Sequence, residues 1–205
     1  MTDFVTDKEE FLKYKSQFNR IFTNENFGDN PFHSRFKYFS AFEFDFIYHE
    51  LFFEGLKNFL KTIGDEKVTF YTIDPSPVDY FYKRYNKYSV FEISNEATKK
   101  ELSDIMMKDP KPPSGDAIAL TSDDISWFSA SDDWAIMGSR DWEVAIIGFT
   151  SERVKELFIE SFSENAQLMF TSVEQFVEEF KEMIVFKEIS TNFYNNLIKN
   201  YQDRI

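Results

Sequence analysis

The side chains best suited to chemistry in this chain are paired carboxylates. Asp123-Asp124 and Asp132-Asp133 stand in consecutive segments rich in Asp and Ser. If both segments are turns that converge at one sheet end, their oxygens suit a hard cation such as Ca²⁺ or Mg²⁺. The spacing lacks the alternating ligands, central Gly and terminal Glu of an EF-hand loop. Asp in a short turn also has a purely structural use, because its side chain bonds its own backbone. Asp45 and His49 form a further pair. They fall at i and i+4 if their segment is helical, close enough to share a proton or a metal. A metal site takes about three or more protein ligands, and no second pair of this kind accompanies them. The sequence therefore assigns neither a metal nor a catalytic residue.

Other routes to catalysis have fewer footholds. With no cysteine, the chain has no disulfide framework, no Cys-ligated zinc and no thiol nucleophile. It has no Gly-x-Ser-x-Gly elbow and no phosphate-cradling glycine loop, and only 6 glycines from which to build one. No cofactor is expected.

The most distinctive stretch covers residues 126–142 and holds all 3 tryptophans, Trp127, Trp134 and Trp142. Arg140 is the one basic residue between Asp123 and Glu143. Two uses fit. In a structural use, Trp127 and Trp134 pack in a sheet core and Arg140 pairs with an Asp across a turn. In a binding use, Trp134, Arg140 and Trp142 anchor a protein partner, while Asp123, Asp124, Asp132, Asp133 and Asp141 steer it by charge.

The charge balance selects among partners. The 205 residues include 36 acidic and 23 basic ones, a formal net charge of −13. Residues 116–182 alone carry 15 acidic and 4 basic side chains, whereas residues 81–111 are mildly basic. Nucleic-acid affinity comes largely from Lys and Arg neutralising phosphates, so this field repels DNA and RNA, and it repels an anionic membrane surface as well. A basic protein is attracted and steered. No run of 18 apolar residues exists to span a membrane, and the first residues lack the basic and apolar regions of a signal peptide. A soluble cytoplasmic protein is expected. The 26 phenylalanines fit either an AT-rich coding sequence or an aromatic binding surface.

These residues must be positioned by a mixed set of elements. A capping box at Thr6 to Glu9 opens a helix over residues 6–22. A second box at Ser40 to Glu43 predicts one long helix from Phe42 to Ile63, ended by Gly64. A strand through Phe42, Phe44 and Phe46 is the rival. Strands follow at 67–73 and 88–93, with a short helix over 78–86 between them that Ser76 caps, with Pro77 at its first position. A helix is expected over 95–108. Strand-like runs at 117–120, 125–128, 134–137 and 142–149 are joined by short Asp-, Ser- and Gly-rich turns, which implies an antiparallel meander. Val144 to Ile147 is apolar on both faces and reads as a central strand. Helices over 151–162, 171–183 and 188–201 close the chain, the first capped by Thr150 and the second opened by a box at Thr171.

The expected fold is a single α+β domain: a mixed or largely antiparallel sheet of about five or six strands, with helices from both chain ends packed mainly on one face. Its parts are a helical stretch at 1–66, a sheet-forming stretch at 67–149 and C-terminal helices at 150–205.

The pattern Trp127, Asp133-Trp134-Ala135-Ile136, Ser139-Arg140-Asp141-Trp142-Glu143-Val144-Ala145-Ile146 resembles small acidic bacterial proteins of the immunity type. Those are cytoplasmic inhibitors that bind and neutralise a toxin. The resemblance covers about a quarter of the chain and carries over no functional residue. It joins the charge reading in one expectation, a non-catalytic acidic module that binds a basic protein. The alternative is a small-ligand-binding protein or enzyme with a carboxylate or Asp45–His49 site.

Overall fold

The structure, a computed structural model, describes residues 3–183 and 189–203. Six strands form one sheet: β1 (Tyr38–Glu43), β2 (Lys67–Asp74), β3 (Val90–Ser94), β4 (Asp124–Ser129), β5 (Trp134–Ser139) and β6 (Val144–Phe149). Their order is β1-β6-β5-β4-β2-β3, and every neighbouring pair is antiparallel. β4, β5 and β6 are the expected meander. The sheet is α+β in organisation, and β6 is interior, as its two apolar faces require.

Both faces of this sheet are buried. Because successive side chains point to opposite faces, Trp134 and Ile136 of β5 enter one core while Ala135 and Met137 enter another. In β6, Ala145, Ile147 and Phe149 alternate in the same way with Val144 and Ile146. The first core is closed by helices from the middle of the chain, α2 (Glu50–Ile63), α4 (Lys99–Met106) and α6 (Glu152–Glu160), through residues such as Phe59, Leu102 and Phe158. The second is closed by helices from the two ends, α1 (Lys8–Ile21), α8 (Val173–Met183) and α9 (Ile189–Asn200), through Phe18, Val177 and Leu197. The expectation of helices mainly on one face is corrected here. Strands as continuously apolar as β6 need cover on both sides.

Phenylalanines make up much of these two cores. Among the described residues the exposed large apolar side chains are Leu12, Leu51, Val78, Met107, Leu120 and Leu168, none of them aromatic, so the described aromatic side chains serve mainly in packing.

Several boundaries differ from expectation. The long helix from Phe42 does not form. Residues 38–43 are β1, Phe44–Tyr48 is a 3-10 turn, and α2 begins only at Glu50. Phe42 packs in the first core and Phe39 and Ala41 in the second, so the two-residue period outweighs the apparent cap at Ser40. The true cap of α2 is His49, whose Nδ1 accepts from the Leu51 amide at 3.2 Å. Gly64 does end it, at φ 81°, where glycine carries no steric penalty.

Asp7, and not Thr6, caps α1 by accepting from the Glu10 amide at 2.8 Å. Ser151 replaces Thr150 at the start of α6. Residues Ile118–Thr121 form a helical turn, α5, instead of a strand. Ser172 accepts from the Gln175 amide at the start of α8, whereas Thr171 bridges to Ala41 at the outer side of β1. Glu188, placed in the last helix by the sequence, lies outside the described residues.

Gly55 of α2 makes room for the Phe162 ring, just beyond the end of α6. A Cβ built there would lie 2.2 Å from Cδ1 of Phe162, a ring that also packs on Phe158 and Phe170. Alanine is the better helix former by about 0.8–1 kcal/mol, yet overpacking a filled core costs about 1–3 kcal/mol. Gly55→Ala is expected to lower the unfolding free energy in urea, despite its propensity gain. A stabilised variant would contradict this packing.

Candidate functional site

A sheet buried on both faces leaves charged side chains only its ends and outer edges. The two aspartate pairs lie at opposite ends. Asp132 and Asp133 sit in the tight β4–β5 turn, whereas Asp123 and Asp124 stand where β4 begins, level with Ser139 at the end of β5. They do not converge on one ion. Among the described residues, no group of three or more His, Asp or Glu side chains is placed to hold a metal.

At the turn end the carboxylates are partnered. Asp132, at φ 56°, accepts from Arg20 Nε at 2.8 Å and lies 3.8 Å from Arg35 Nη2. Asp133 accepts from Thr150 Oγ1 at 2.9 Å. Buried Asp65 accepts from Ser129 and Ser131 at 2.5 and 2.9 Å. Every acid in this group has a donor.

The opposite end is different. Asp124 stands directly across from Asp74 in the β2–β4 register, and the Asp123 amide donates to the Asp74 carbonyl at 2.8 Å. The β5–β6 turn brings Asp141 alongside. Among the described residues none of Asp74, Asp123, Asp124 and Asp141 forms an ion pair within 4 Å. Partial burial pushes the Asp123 carboxyl above its ordinary value, and the charges of Asp141 and Asp74 push the same way against Arg140. Asp124 is also raised, first by burial and then by Asp74, Asp141 and Asp123, although a hydrogen bond with Ser139 opposes the shift. Asp74 was missed from the sequence because its role comes from strand order, which places β2 beside β4.

Arg140 sits among these acids without pairing with one as expected. Its Nη2 donates to the Ala119 carbonyl at 2.8 Å and its Nε to the Ser122 carbonyl at 3.0 Å. The guanidinium also lies 5.4 Å from the Phe44 ring centre and 5.7 Å from that of Tyr48. These contacts tie α5 to the sheet and leave Arg140 half-buried, a brace within the site. Trp134 is 0% exposed and packs edge-on against Phe59, which removes it as a docking anchor. Trp127 is core as well, packed against Phe70. Trp142 is half-buried, with one ring face stacked on Phe193 at 3.7 Å, and its turn places it next to Asp141.

On the other side of the acids an apolar cleft of about 270 Å³ opens between α2 and α4. Ile47, Phe53, Leu102 and Met106 form its walls, and Tyr48 and Ala119, the residues Arg140 touches, stand toward the aspartates. Burial raises the Tyr48 phenol above its ordinary value, against the pull of Arg140. Met107 lines the cleft and is 52% exposed, and Leu51 and Leu120, 39% and 61% exposed, follow the lining residues Glu50 and Ala119 in the chain. Met107 is thus the one large exposed apolar side chain among the described residues that lines the cleft itself. His49 lines the mouth as the α2 cap. Asp45 lies in the preceding 3-10 turn, so the two do not share a helix face and the i,i+4 relay is not built.

Like charges held across a strand pair cost stability. A carboxyl whose folded pKa is raised contributes favourably at acid pH, and that contribution is lost as the pH rises through the raised value. Asp124→Asn is therefore expected to raise stability at pH 7 by about 0.2–1 kcal/mol, the range for cross-strand pairs, and Asp123→Asn to act in the same direction. The gain should shrink as the pH falls through the raised values and vanish below about 3.9, the ordinary aspartate value. Thermal melts across this range would contradict the assignment if either variant were less stable at pH 7. Compared with known proteins, the chain matches no family model, no curated protein and no solved structure.

Proposed function

We propose that this chain is a non-catalytic binding module that docks a basic protein on the end of the sheet formed by Asp74, Asp123, Asp124 and Asp141. The observation that carries the reading is the contrast between the two sheet ends. One holds acids matched to arginines and hydroxyls. The other gathers acids around Arg140, whose donors go to carbonyls and form no ion pair with any of them, a cost that an incoming Lys or Arg relieves. Trp142 on one side and the apolar cleft on the other give the surface the mixture of charge and apolar area found in specific interfaces.

The docking surface is narrower than the sequence suggested. Asp132 is engaged by Arg20 and Arg35 and Asp133 by Thr150, which leaves Asp123, Asp124 and Asp141, with Asp74 added. Net charge −13 disfavours nucleic acid and anionic membranes as partners. Among the described residues no helix is long and apolar enough to cross a membrane. A cytoplasmic inhibitor that neutralises a basic toxin, as in immunity proteins, is the biological role we favour. Of the alternative, a small-ligand-binding protein or enzyme with a carboxylate or Asp45–His49 site, the i,i+4 pair at least is not formed.

The test is affinity capture with wild type, an Asp123→Lys/Asp141→Lys variant, and Asp133→Lys as the control at the other end. A stoichiometric basic partner should be held by wild type and control and released by salt. The double variant should bind it about tenfold or more weakly. Equal capture by all three proteins, or capture that salt does not weaken, would overturn the reading.

A further inference from the structure

The cleft specifies more about the partner than its charge. At about 270 Å³ it falls just under the range of about 300–1,000 Å³ in which small-molecule sites usually lie. Its size suits one inserted side chain. The walls are aliphatic and aromatic, and the cation at its mouth is already claimed: Lys99 pairs with Glu50 and lies 2.9 Å from Glu54. An anionic ligand therefore finds no free cation there. Toward the sheet, Tyr48 and Ala119 connect the cleft through Arg140 to Asp123, whose carbonyl accepts from the Arg140 amide at 2.7 Å. The apolar opening and the unmatched carboxylates are thus neighbours, and exposed Met107 lines the opening.

We infer that the partner docks through a basic segment carrying one apolar anchor. A Leu, Met or Phe side chain enters the cleft between α2 and α4, and an adjacent Lys or Arg reaches Asp123 and Asp141. This rests on the docking reading above and deepens it by naming the chemistry of the docked segment. Charge complementarity argues for a cationic flank. Methionine lining suits an apolar anchor without fixing its shape, because the thioether chain is flexible and polarisable.

Synthetic peptides test the inference on the full chain. Four are compared: an apolar anchor with basic flanks, the anchor with neutral flanks, basic flanks around Ser, and neither. Binding is followed by NMR with labelled methionine methyls, where Met106 and Met107 report on the cleft and buried Met137, in the other core, serves as control. The anchored basic peptide should bind about tenfold or more tightly than the basic Ser peptide and shift Met106 and Met107 alone. Ser103→Trp, which fills the cleft from α4, should remove that preference while leaving charge-driven binding. Asp123→Asn/Asp141→Asn should remove binding of both basic peptides.

If the anchor adds nothing and Met106 and Met107 do not move, while the aspartate variant still abolishes binding, the inference fails and the acidic docking surface stands. If the neutral anchored peptide binds as well as the basic one, the cleft is an apolar ligand site and the inference fails too. If no peptide binds, the inference also fails, and the capture experiment decides the docking reading by itself. If basic peptides bind but ignore the aspartate variant, the docking reading falls with it.

Discussion

Burying both faces of one antiparallel sheet constrains everything else in this molecule. Each interior strand must present apolar side chains in both directions, so β4, β5 and β6 offer a charged group no place between their ends. The burial that replaces exposure is large, at about 25 cal/mol per Å² of apolar surface, and phenylalanine supplies much of it. Carboxylates in the meander are consequently displaced to the turns and strand termini. What differs between the two ends is what else arrives there. The N-terminal helix brings Arg20 to the β4–β5 turn. At the other end Arg140 is turned toward the carbonyls of α5 and its neighbouring residue.

That asymmetry means that the acids of this strongly acidic chain do not all meet the same surroundings. An exposed ion pair adds little to stability, but an acid with a donor is a finished contact. Asp74 and Asp124 face each other across β2 and β4 with no ion-pair partner among the described residues, and Asp124 has the Ser139 hydroxyl as its hydrogen-bond partner. A folded protein keeps such a pair at a cost, and costs of this kind concentrate where a surface has work to do. The cleft beside it shares that character, since Met107 in its lining is left partly in water.

The sequence made the meander legible because its signals are local: alternating apolar residues, Asp- and Ser-rich turns, and a run from Val144 to Ile147 with no polar face. It marked Asp123, Asp124 and Asp141 by type. It did not separate them from Asp132 and Asp133, because that distinction depends on Arg20 and Arg35, more than ninety residues earlier in the chain. Asp74 was invisible for the same reason. The helix expected from Ser40 failed because a capping pattern and a buried strand look alike over four residues, and pairing with β6 decided between them. Thr98 and Glu101 form a full capping box that the broader reading of that helix passed over. The two-sided core was readable in principle from the strands, but which helices covered which face was set by tertiary packing.

The account turns on whether the carboxylates at this sheet end repel one another in the free protein. Carbon-detected NMR titration of the aspartate side chains, read at Asp123 and Asp124, measures this directly. The account predicts that both titrate above about 3.9, the ordinary aspartate value, and that Asp123 moves down when Asp141 is replaced by Asn. Ordinary or depressed values at both positions would contradict it, because the acids would then be satisfied already and would have nothing to gain from a basic partner.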